Sequence, residues 1–168
     1  MHAEEVGLIQ LWNYYEYSPR LLSSGQPTPG QLAEIAAAGV SAVINLAPVD
    51  SPDAYANEGA LVSALGMGYH HIPVDWDNPP LADLEAFFIA MDDLAENRVL
   101  VHCYANARAS AFVYLWRTLR AGHDDTQARE AMVEIWNLNE GYEFAKVDQW
   151  QQFVTSAQVS HSSVGRID

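Results

Sequence analysis

The chain has 168 residues, of which 49% are apolar and 18% are charged, an ordinary balance for a globular protein. We therefore expect one domain over residues 1–168, with a polar tail after about residue 158 that frays. The 22 acidic residues outnumber the 8 basic ones, which gives a formal net charge of −14. This charge argues against binding to nucleic acid and against adhesion to anionic membranes.

Cys103 is the single cysteine, which excludes a disulfide bond within the chain. No stretch reaches the roughly 20 apolar residues of a membrane-spanning helix. The first twelve residues, MHAEEVGLIQLW, lack the basic and apolar regions of a signal peptide. We therefore expect a cytoplasmic protein, or a periplasmic one if a signal peptide has been removed.

Strand and helix patterns alternate along the chain. RLLSSG is expected to form a short strand, and a helix follows to about Ala38. Thr28 is a good N-cap for this helix, Pro29 suits its first position and Gln31 completes a capping box, while Gly39 is a stop signal. The continuous apolar run SAVINL then predicts a buried strand of the parallel type, and NEGALVSAL predicts a weaker helix.

The second half of the chain repeats this alternation. YHHIPV predicts a strand, the turn-rich DWDNPP a loop, and RVLVHC another strand. Apolar residues spaced by three and four predict a helix before RVLVHC and another after it. Asp124 or Asp125 is expected to cap a further helix through about Trp136, and FAKVDQWQQFV predicts the last one. The pattern predicts an α/β fold with a central, mostly parallel sheet and helices on both faces, in which ligands bind at the carboxyl ends of the strands.

Cys103 lies at the carboxyl end of the most apolar strand, directly before a predicted helix. The N-terminus of a helix presents unpaired N–H groups and partial positive charge, which bind anions and phosphate in particular. The same field lowers the pKa of a thiol from about 8.5 into a range of roughly 3.5–7.5. Arg108 adds a planar guanidinium that can bind two phosphate oxygens.

The residues around Cys103 are mostly small, so their backbone amides can close around a tetraoxo anion. We expect the phosphate-binding residues to be Tyr104, Ala105, Asn106, Ala107, Arg108 and Ala109. Asn106 suits a left-handed backbone conformation within such a turn. Ser110 is placed to donate a hydrogen bond to the sulfur.

The segment VHCYANARAS resembles the signature loop of cysteine-dependent phosphatases, HCxxGxxR[ST]. It is similar to the compact dual-specificity branch, and more closely to a small bacterial group of tyrosine-phosphatase-like proteins. SGQPTPGQL, GVSAVINL and HIPVDWDNPP are also similar to that group, so the resemblance runs from about Leu22 to Phe153. It implies a phosphatase fold, with Cys103 as a thiolate nucleophile that forms a phosphocysteine intermediate. His102 is expected to make a structural hydrogen bond beneath the loop.

The loop departs from the family pattern in its spacing. Four residues separate Cys103 from Arg108 instead of five, and Asn106 occupies the position of the glycine. Ser110 keeps its expected distance from the cysteine, so either the arginine alone has moved or the whole loop is tighter. A tighter loop is typical of rhodanese-like sulfurtransferases, which would carry a persulfide on Cys103. The same pattern is compatible with a non-catalytic phosphate-binding module, or with a buried structural cysteine.

Thiolate attack on a phosphomonoester requires a proton for the leaving oxygen. The resemblance implies an aspartate about thirty residues upstream of the cysteine, and Asp75 and Asp77 lie 28 and 26 residues before Cys103. We favour Asp75, because it directly follows a predicted strand, although both residues could instead solvate the loop, or Asp77 and Asn78 could cap the next helix.

No metal or other cofactor is expected. His70 and His71 are adjacent on a predicted strand, so they face opposite sides of the sheet and do not share one metal. The aromatic run LWNYYEY is expected to pack on the core, unless it forms the wall of a pocket for an aryl phosphate. Trp76 is a better candidate for such a wall. The expected substrate is a phosphotyrosine protein or a small aryl or alkyl phosphate.

Overall fold

A computed structural model describes residue 8, residues 10–139 and residues 142–164. Its centre is a five-stranded sheet in the order β1-β2-β5-β3-β4. β1 is antiparallel to β2, and every other neighbouring pair is parallel. The strands are β1 (Tyr15–Ser18), β2 (Leu21–Ser24), β3 (Ala42–Asn45), β4 (Gly68–His71) and β5 (Val99–His102).

The helices follow the alternation that the sequence predicts. Within the described residues they are α1 (Pro29–Ala37), α2 (Glu58–Ala64), α3 (Leu81–Asp93), α4 (Ala107–Leu119), α5 (Asp125–Asn137) and α6 (Asp148–Val164), with a 3-10 turn at Phe144–Lys146. None of these helices is both long enough and apolar enough to cross a lipid bilayer. The last helix continues to Val164 and so includes polar residues beyond Gln158.

Helix α1 begins and ends where the sequence predicts. The Thr28 hydroxyl accepts a hydrogen bond from the Gln31 backbone N–H at 3.2 Å, and the Gln31 side chain accepts one from the Thr28 N–H at 2.9 Å. Gly39 follows the helix with a φ of 89°, a left-handed conformation that glycine adopts at low cost. The predicted capping box is therefore confirmed.

The core has two layers, one on each face of the sheet. Helices α3 to α6 pack on one face through a cluster that contains most of the buried aromatic side chains, among them Phe87, Phe112, Trp136 and Trp150, and which we call the aromatic cluster. Helices α1 and α2 cover the other face through an aliphatic cluster that includes Leu22, Leu32, Ile35, Val43 and Val62. The predicted α/β fold with helices on both faces is confirmed.

The aromatic run before β2 forms the edge strand β1, which the sequence analysis does not identify. Tyr17 packs on the aromatic cluster and Tyr14 on the aliphatic one, as expected for a run that packs on the core. Trp12 differs, because it is 42% exposed and its ring meets that of Tyr104 edge-on at 5.0 Å. The N-terminal segment therefore reaches the loop that follows β5.

Candidate active site

The most buried strand of the sheet ends at the single cysteine. All four residues of β5 are buried, and β5 pairs with β2 on one side and β3 on the other. Residues 103–106, which we call the Cys103 loop, connect it to α4. Asn106 precedes α4 with a φ of 71°, in the left-handed region. Cys103 thus lies between the end of a strand and the positive end of a helix.

A cavity of about 630 Å³ opens at this carboxyl edge of the sheet. The sequence-predicted residues among those lining it are Cys103, Tyr104, Ala105, Ala107, Arg108, Asp75 and Trp76. Asp50, Asn139 and Tyr142 also line it, and the sequence analysis does not identify them. The cavity brings together a thiol, a guanidinium, a carboxylate and a helix N-terminus.

The other predicted residues do not line this cavity. His102, Asn106, Ala109 and Ser110 are buried around it, and Asp77 is exposed outside it. The Ser110 hydroxyl donates a hydrogen bond to the Ala107 carbonyl oxygen at 3.1 Å. In this structure it therefore bonds the backbone of its own helix, whereas we expected a bond to the sulfur.

Arg108 reaches the cavity despite its spacing of four residues from the cysteine. Its side chain is buried, and Nη1 donates a hydrogen bond to the Val74 carbonyl oxygen at 2.9 Å. The guanidinium carbon lies 5.9 Å from the centre of the Trp76 ring. A guanidinium has five N–H donors, so this anchoring leaves others to bind an oxyanion.

Asp75 and Asp77 lie on residues 74–78, which we call the Asp75 loop. Asp75 lines the cavity, and its Oδ1 accepts a hydrogen bond from the Asp77 backbone N–H at 2.9 Å. This bond fixes the Asp75 carboxylate by the turn that follows it, as in other Asx turns. Asp77 contributes its backbone to this arrangement.

Aromatic packing holds the Asp75 loop against the helices. The Trp76 ring stacks on Trp136 at 5.5 Å, and the rings of Trp150 and Tyr142 lie 5.7 and 5.6 Å away. The Trp150 indole N–H also donates to the Trp76 carbonyl oxygen at 3.0 Å. Trp76 and Tyr142 both line the cavity, so the same cluster supports the loop and forms an aromatic wall.

A buried ion pair lies beneath the Cys103 loop. The Nε2 N–H of His102 donates to Glu58 Oε2 at 2.8 Å, and Gln26 donates to Glu58 Oε1 at 2.6 Å. Burial by itself raises the pKa of Glu58, but the hydrogen bond and charge of His102, with hydrogen bonds from Gln26 and Tyr69, bring that pKa below its ordinary value. His102 makes a hydrogen bond beneath the loop, and its partner is Glu58, in the first turn of α2, which the sequence analysis does not identify.

The described residues contain no cluster of three or more histidine, cysteine, aspartate or glutamate side chains that could hold a metal ion. His71 instead lies with its Nε2 at 2.7 Å from the Ala47 carbonyl oxygen.

The sequence profile of one protein family matches residues 15–123, and that family is the phosphatase-like domain of beta-lactamase hydrolase-like proteins. The match covers more than half of the chain, so the chain belongs to this family. The resemblance to small tyrosine-phosphatase-like proteins is thereby confirmed. A search of curated proteins finds no significant match.

Solved structures agree with this assignment. A candidate phosphatase of the DUF442 family from Shewanella putrefaciens CN-32 is 40% identical, with a TM-score of 0.79 over 93% of this chain and 97% of that chain. A TpbA variant from P. aeruginosa, in complex with phosphotyrosine, is 19% identical, with a TM-score of 0.64 over 89% and 90%. The kinase associated phosphatase is 13% identical, with a TM-score of 0.64 over 84% and 87%. The last two show a shared fold alone, whereas the family and the 40% identical structure support a phosphatase function.

Proposed function

We propose that this protein hydrolyses phosphomonoesters through a phosphocysteine intermediate on Cys103. The observation that carries the proposal is one cavity lined by Cys103, Arg108 and Asp75, at the N-terminus of α4. A thiolate, a bidentate cation and an acid are the groups that transfer of a phosphoryl group to sulfur requires.

In the first step the Cys103 thiolate attacks phosphorus, and the bond from phosphorus to the ester oxygen breaks. Protonated Asp75 gives its proton to the departing oxygen, so that an alcohol or phenol leaves rather than its anion. Arg108 and the N–H groups at the start of α4 stabilise the charge on the non-bridging oxygens.

In the second step a water molecule attacks the phosphocysteine. Asp75, now a carboxylate, accepts a proton from the water, and the bond between phosphorus and sulfur breaks to release phosphate. The departing sulfur regains its negative charge, which the helix N-terminus stabilises. The Ser110 hydroxyl assists this departure if it turns from the Ala107 carbonyl toward the sulfur.

The proposed substrate is an aryl phosphomonoester, either phosphotyrosine in a protein or a small aryl phosphate. Trp76 and Tyr142 line the cavity and offer flat apolar surfaces to an aromatic leaving group. The TpbA variant with bound phosphotyrosine has the same fold, which supports this choice of substrate.

The direct test measures release of phosphate from nitrophenyl phosphate by the wild type and by Cys103→Ser. The wild type should release phosphate, and the serine variant should lose nearly all activity because a hydroxyl is a far weaker nucleophile at neutral pH. Thiocyanate formation from thiosulfate and cyanide, measured in parallel, would instead identify a sulfurtransferase. Neither product, together with binding of phosphate, would identify a non-catalytic binding module.

The role of Arg108 is tested by Arg108→Lys, which keeps the charge and removes the planar pair of donors. We expect kcat/KM to fall by about a hundredfold, since bonds from charged donors to an oxyanion contribute several kcal/mol in the transition state. Arg120→Lys is the matched control, because Arg120 is exposed and pairs with Asp92 on the surface. A lysine variant at Arg108 that kept most of its activity would reduce this residue to a general source of positive charge.

A further inference from the structure

Two asparagines from distant parts of the chain bind the same carbonyl of the Cys103 loop. Asn13 and Asn139 donate from their side-chain amides to the Ala105 carbonyl oxygen at 3.1 and 3.2 Å. The Asn13 amide also donates to Asn139 Oδ1 at 3.1 Å, so the two side chains are themselves joined. They lie 92 and 34 residues away from Ala105 in sequence.

Asn13 also accepts a hydrogen bond from the Cys103 loop. The Asn106 side chain, which is fully buried, donates to the Asn13 carbonyl oxygen at 2.8 Å. Both residues have left-handed backbones, with φ of 71° at Asn106 and 51° at Asn13. Asparagine is among the few residues that tolerate this conformation.

The preceding peptide of the loop is fixed in a similar way. The Tyr104 carbonyl oxygen accepts a hydrogen bond from the Gln26 backbone N–H at 2.8 Å. The carbonyls of Tyr104 and Ala105 are therefore both held by groups outside the loop. The backbone N–H groups of Ala105 and Asn106 bond no backbone carbonyl among the described residues.

The planar geometry of the peptide links these two observations. In a trans peptide the C=O of one residue and the N–H of the next point in opposite directions. Holding the Ala105 carbonyl therefore sets the direction of the Asn106 N–H, and holding the Tyr104 carbonyl sets that of the Ala105 N–H. A peptide that rotated would turn a carbonyl oxygen toward a bound dianion and repel it.

We infer that Asn13 and Asn139 are positioning residues, which hold the Ala105 carbonyl so that it does not turn toward an oxyanion bound in the cavity. The inference rests on the proposed function only in requiring that the Cys103 loop bind phosphate. The Cys103 loop contains no glycine, and the two side-chain amides hold its backbone from outside the loop. In this arrangement Asn13 and Asn139 act through the Ala105 carbonyl, although Asn139 also lines the cavity.

The test uses Asn13→Ala, Asn139→Ala and the double variant, with Asn137→Ala as the control because Asn137 is exposed at the end of α5. Vanadate and phosphate serve as probes, through their inhibition constants and their protection of Cys103 from iodoacetate. Each single variant should weaken vanadate binding by about threefold, because the other amide still holds the carbonyl. The double variant should weaken it by about thirtyfold or more, beyond the product of the single effects.

A second readout separates positioning from stability. If the peptide loses its orientation, the cysteine loses amide dipoles that favour the thiolate, so the pH profile of alkylation should move to higher pH in the double variant. A double variant with a lower melting temperature, but with unchanged vanadate inhibition and an unchanged pH profile, would overturn the inference. Should the double variant not fold, Asn139→Leu keeps a similar side-chain size and removes the donor without adding a charge. It should bind vanadate more weakly than the wild type, and equal binding would overturn the inference.

The same measurements distinguish a failure of the proposed function from a failure of this inference. A wild type that binds vanadate at Cys103 but releases no phosphate from any ester would refute the proposed reaction and leave the inference standing. A wild type that hydrolyses esters, with a double variant equal to it in vanadate binding, would refute the inference alone. A wild type that does not bind either anion would refute both.

Discussion

Among single residues, Gly25 lies in the closest contact with the Cys103 loop. A Cβ atom at this position would lie 2.6 Å from the Tyr104 carbonyl oxygen and 2.8 Å from the Trp12 ring. Contacts this short force a neighbour to move, and one of these neighbours is the backbone that we propose binds phosphate. The requirement for glycine here comes from space, since Gly25 has no left-handed φ.

We therefore expect Gly25→Ala to lower kcat/KM on an aryl phosphate by about tenfold and to cost about 1–3 kcal/mol of stability, as overpacking does. Gly30→Ala is the control. The nearest atom to a Cβ there is 4.0 Å away, and the residue lies within α1, where alanine is favoured by about 0.5–1 kcal/mol. Steady-state kinetics and thermal unfolding of both variants check the contrast, and equal behaviour of the two would contradict it.

The identity of the general acid is a second question for single residues. Loss of the true acid matters most when the leaving group is a poor one, so phenyl phosphate should suffer far more than nitrophenyl phosphate. General acid catalysis contributes about a hundred- to ten-thousandfold. Because Asp75 lines the cavity and Asp77 does not, we expect this pattern from Asp75→Asn and only a mild, uniform loss from Asp77→Asn.

The pH–rate profile gives an independent check on the acid. Asp75→Asn should abolish the alkaline limb, because no proton remains to be lost. The reverse pattern of leaving-group effects would assign the role to Asp77. Small, equal losses in both variants on both esters would mean that the Asp75 loop only shapes the cavity.

At the scale of elements, the ion pair of Glu58 and His102 joins the start of α2 to the end of β5. Glu58 is 3% exposed, and its pKa lies below the ordinary value. A carboxylate with a lowered folded-state pKa adds stability that is complete above the unfolded pKa and is lost as the pH falls through the folded one. The connection between the two elements should therefore weaken in acid.

We expect Glu58→Gln to lose about 1.5–3 kcal/mol of unfolding free energy at pH 6, the range for hydrogen bonds to charged groups. The difference from the wild type should shrink as the pH falls below about 4, because the wild type then loses the same charge. Glu34→Gln, an exposed change on α1, is the control. Denaturant unfolding from pH 3 to pH 6 measures the effect, and a difference independent of pH would contradict it.

The order of the elements could be predicted from the sequence because its signals are local. Thr28, Pro29 and Gln31 mark the start of α1 within four residues, and the unbroken apolar runs of β3 and β5 distinguish buried parallel strands. Strand β1 is not predicted, because the aromatic run LWNYYEY has the composition of a cluster that packs on the core. The structure shows that the end of this run forms a strand whose residues alternate in exposure.

The residues that support the Cys103 loop could not be predicted in this way, because their hydrogen-bond partners are distant in sequence. Asn13 and Asn139 are ordinary loop asparagines in sequence, and only the fold brings both to Ala105. Glu58, in the first turn of a helix, has the usual position of an exposed acid that favours the helix dipole. The position of the glutamate on the chain does not reveal that it is buried under His102.

At the scale of the whole molecule, the charge of the protein opposes that of its proposed substrate. The net charge is −14, and Arg108 is the only cation among the described residues that line the cavity, where Asp50 and Asp75 are also found. We therefore expect an anionic ligand to be repelled at long range and attracted to Arg108 at short range. Salt screens the long-range part, since the Debye length falls from about 30 Å at 0.01 M to about 10 Å at 0.1 M.

We expect alkylation of Cys103 by iodoacetate to speed up severalfold as sodium chloride rises over that range. Iodoacetamide, which is uncharged, is the control reagent and should react at a nearly constant rate. Both rates are obtained from reactions quenched at timed intervals at a fixed pH, with the fraction of modified protein measured by mass spectrometry. A rate with iodoacetate that falls with salt would mean that the field of Arg108 and α4 dominates the approach.

The tryptophans that pack behind the Asp75 loop provide an intrinsic fluorescence probe of the cavity. Three of the five tryptophans, Trp76, Trp136 and Trp150, are in mutual ring contact, and Trp76 faces the cavity as well. Emission from stacked indoles is sensitive to their separation and to nearby charge, so a dianion beside Arg108 or a shift of the Asp75 loop should alter the intrinsic fluorescence. We therefore expect that occupancy of the cavity can be followed in the unlabelled protein by its fluorescence, without any turnover.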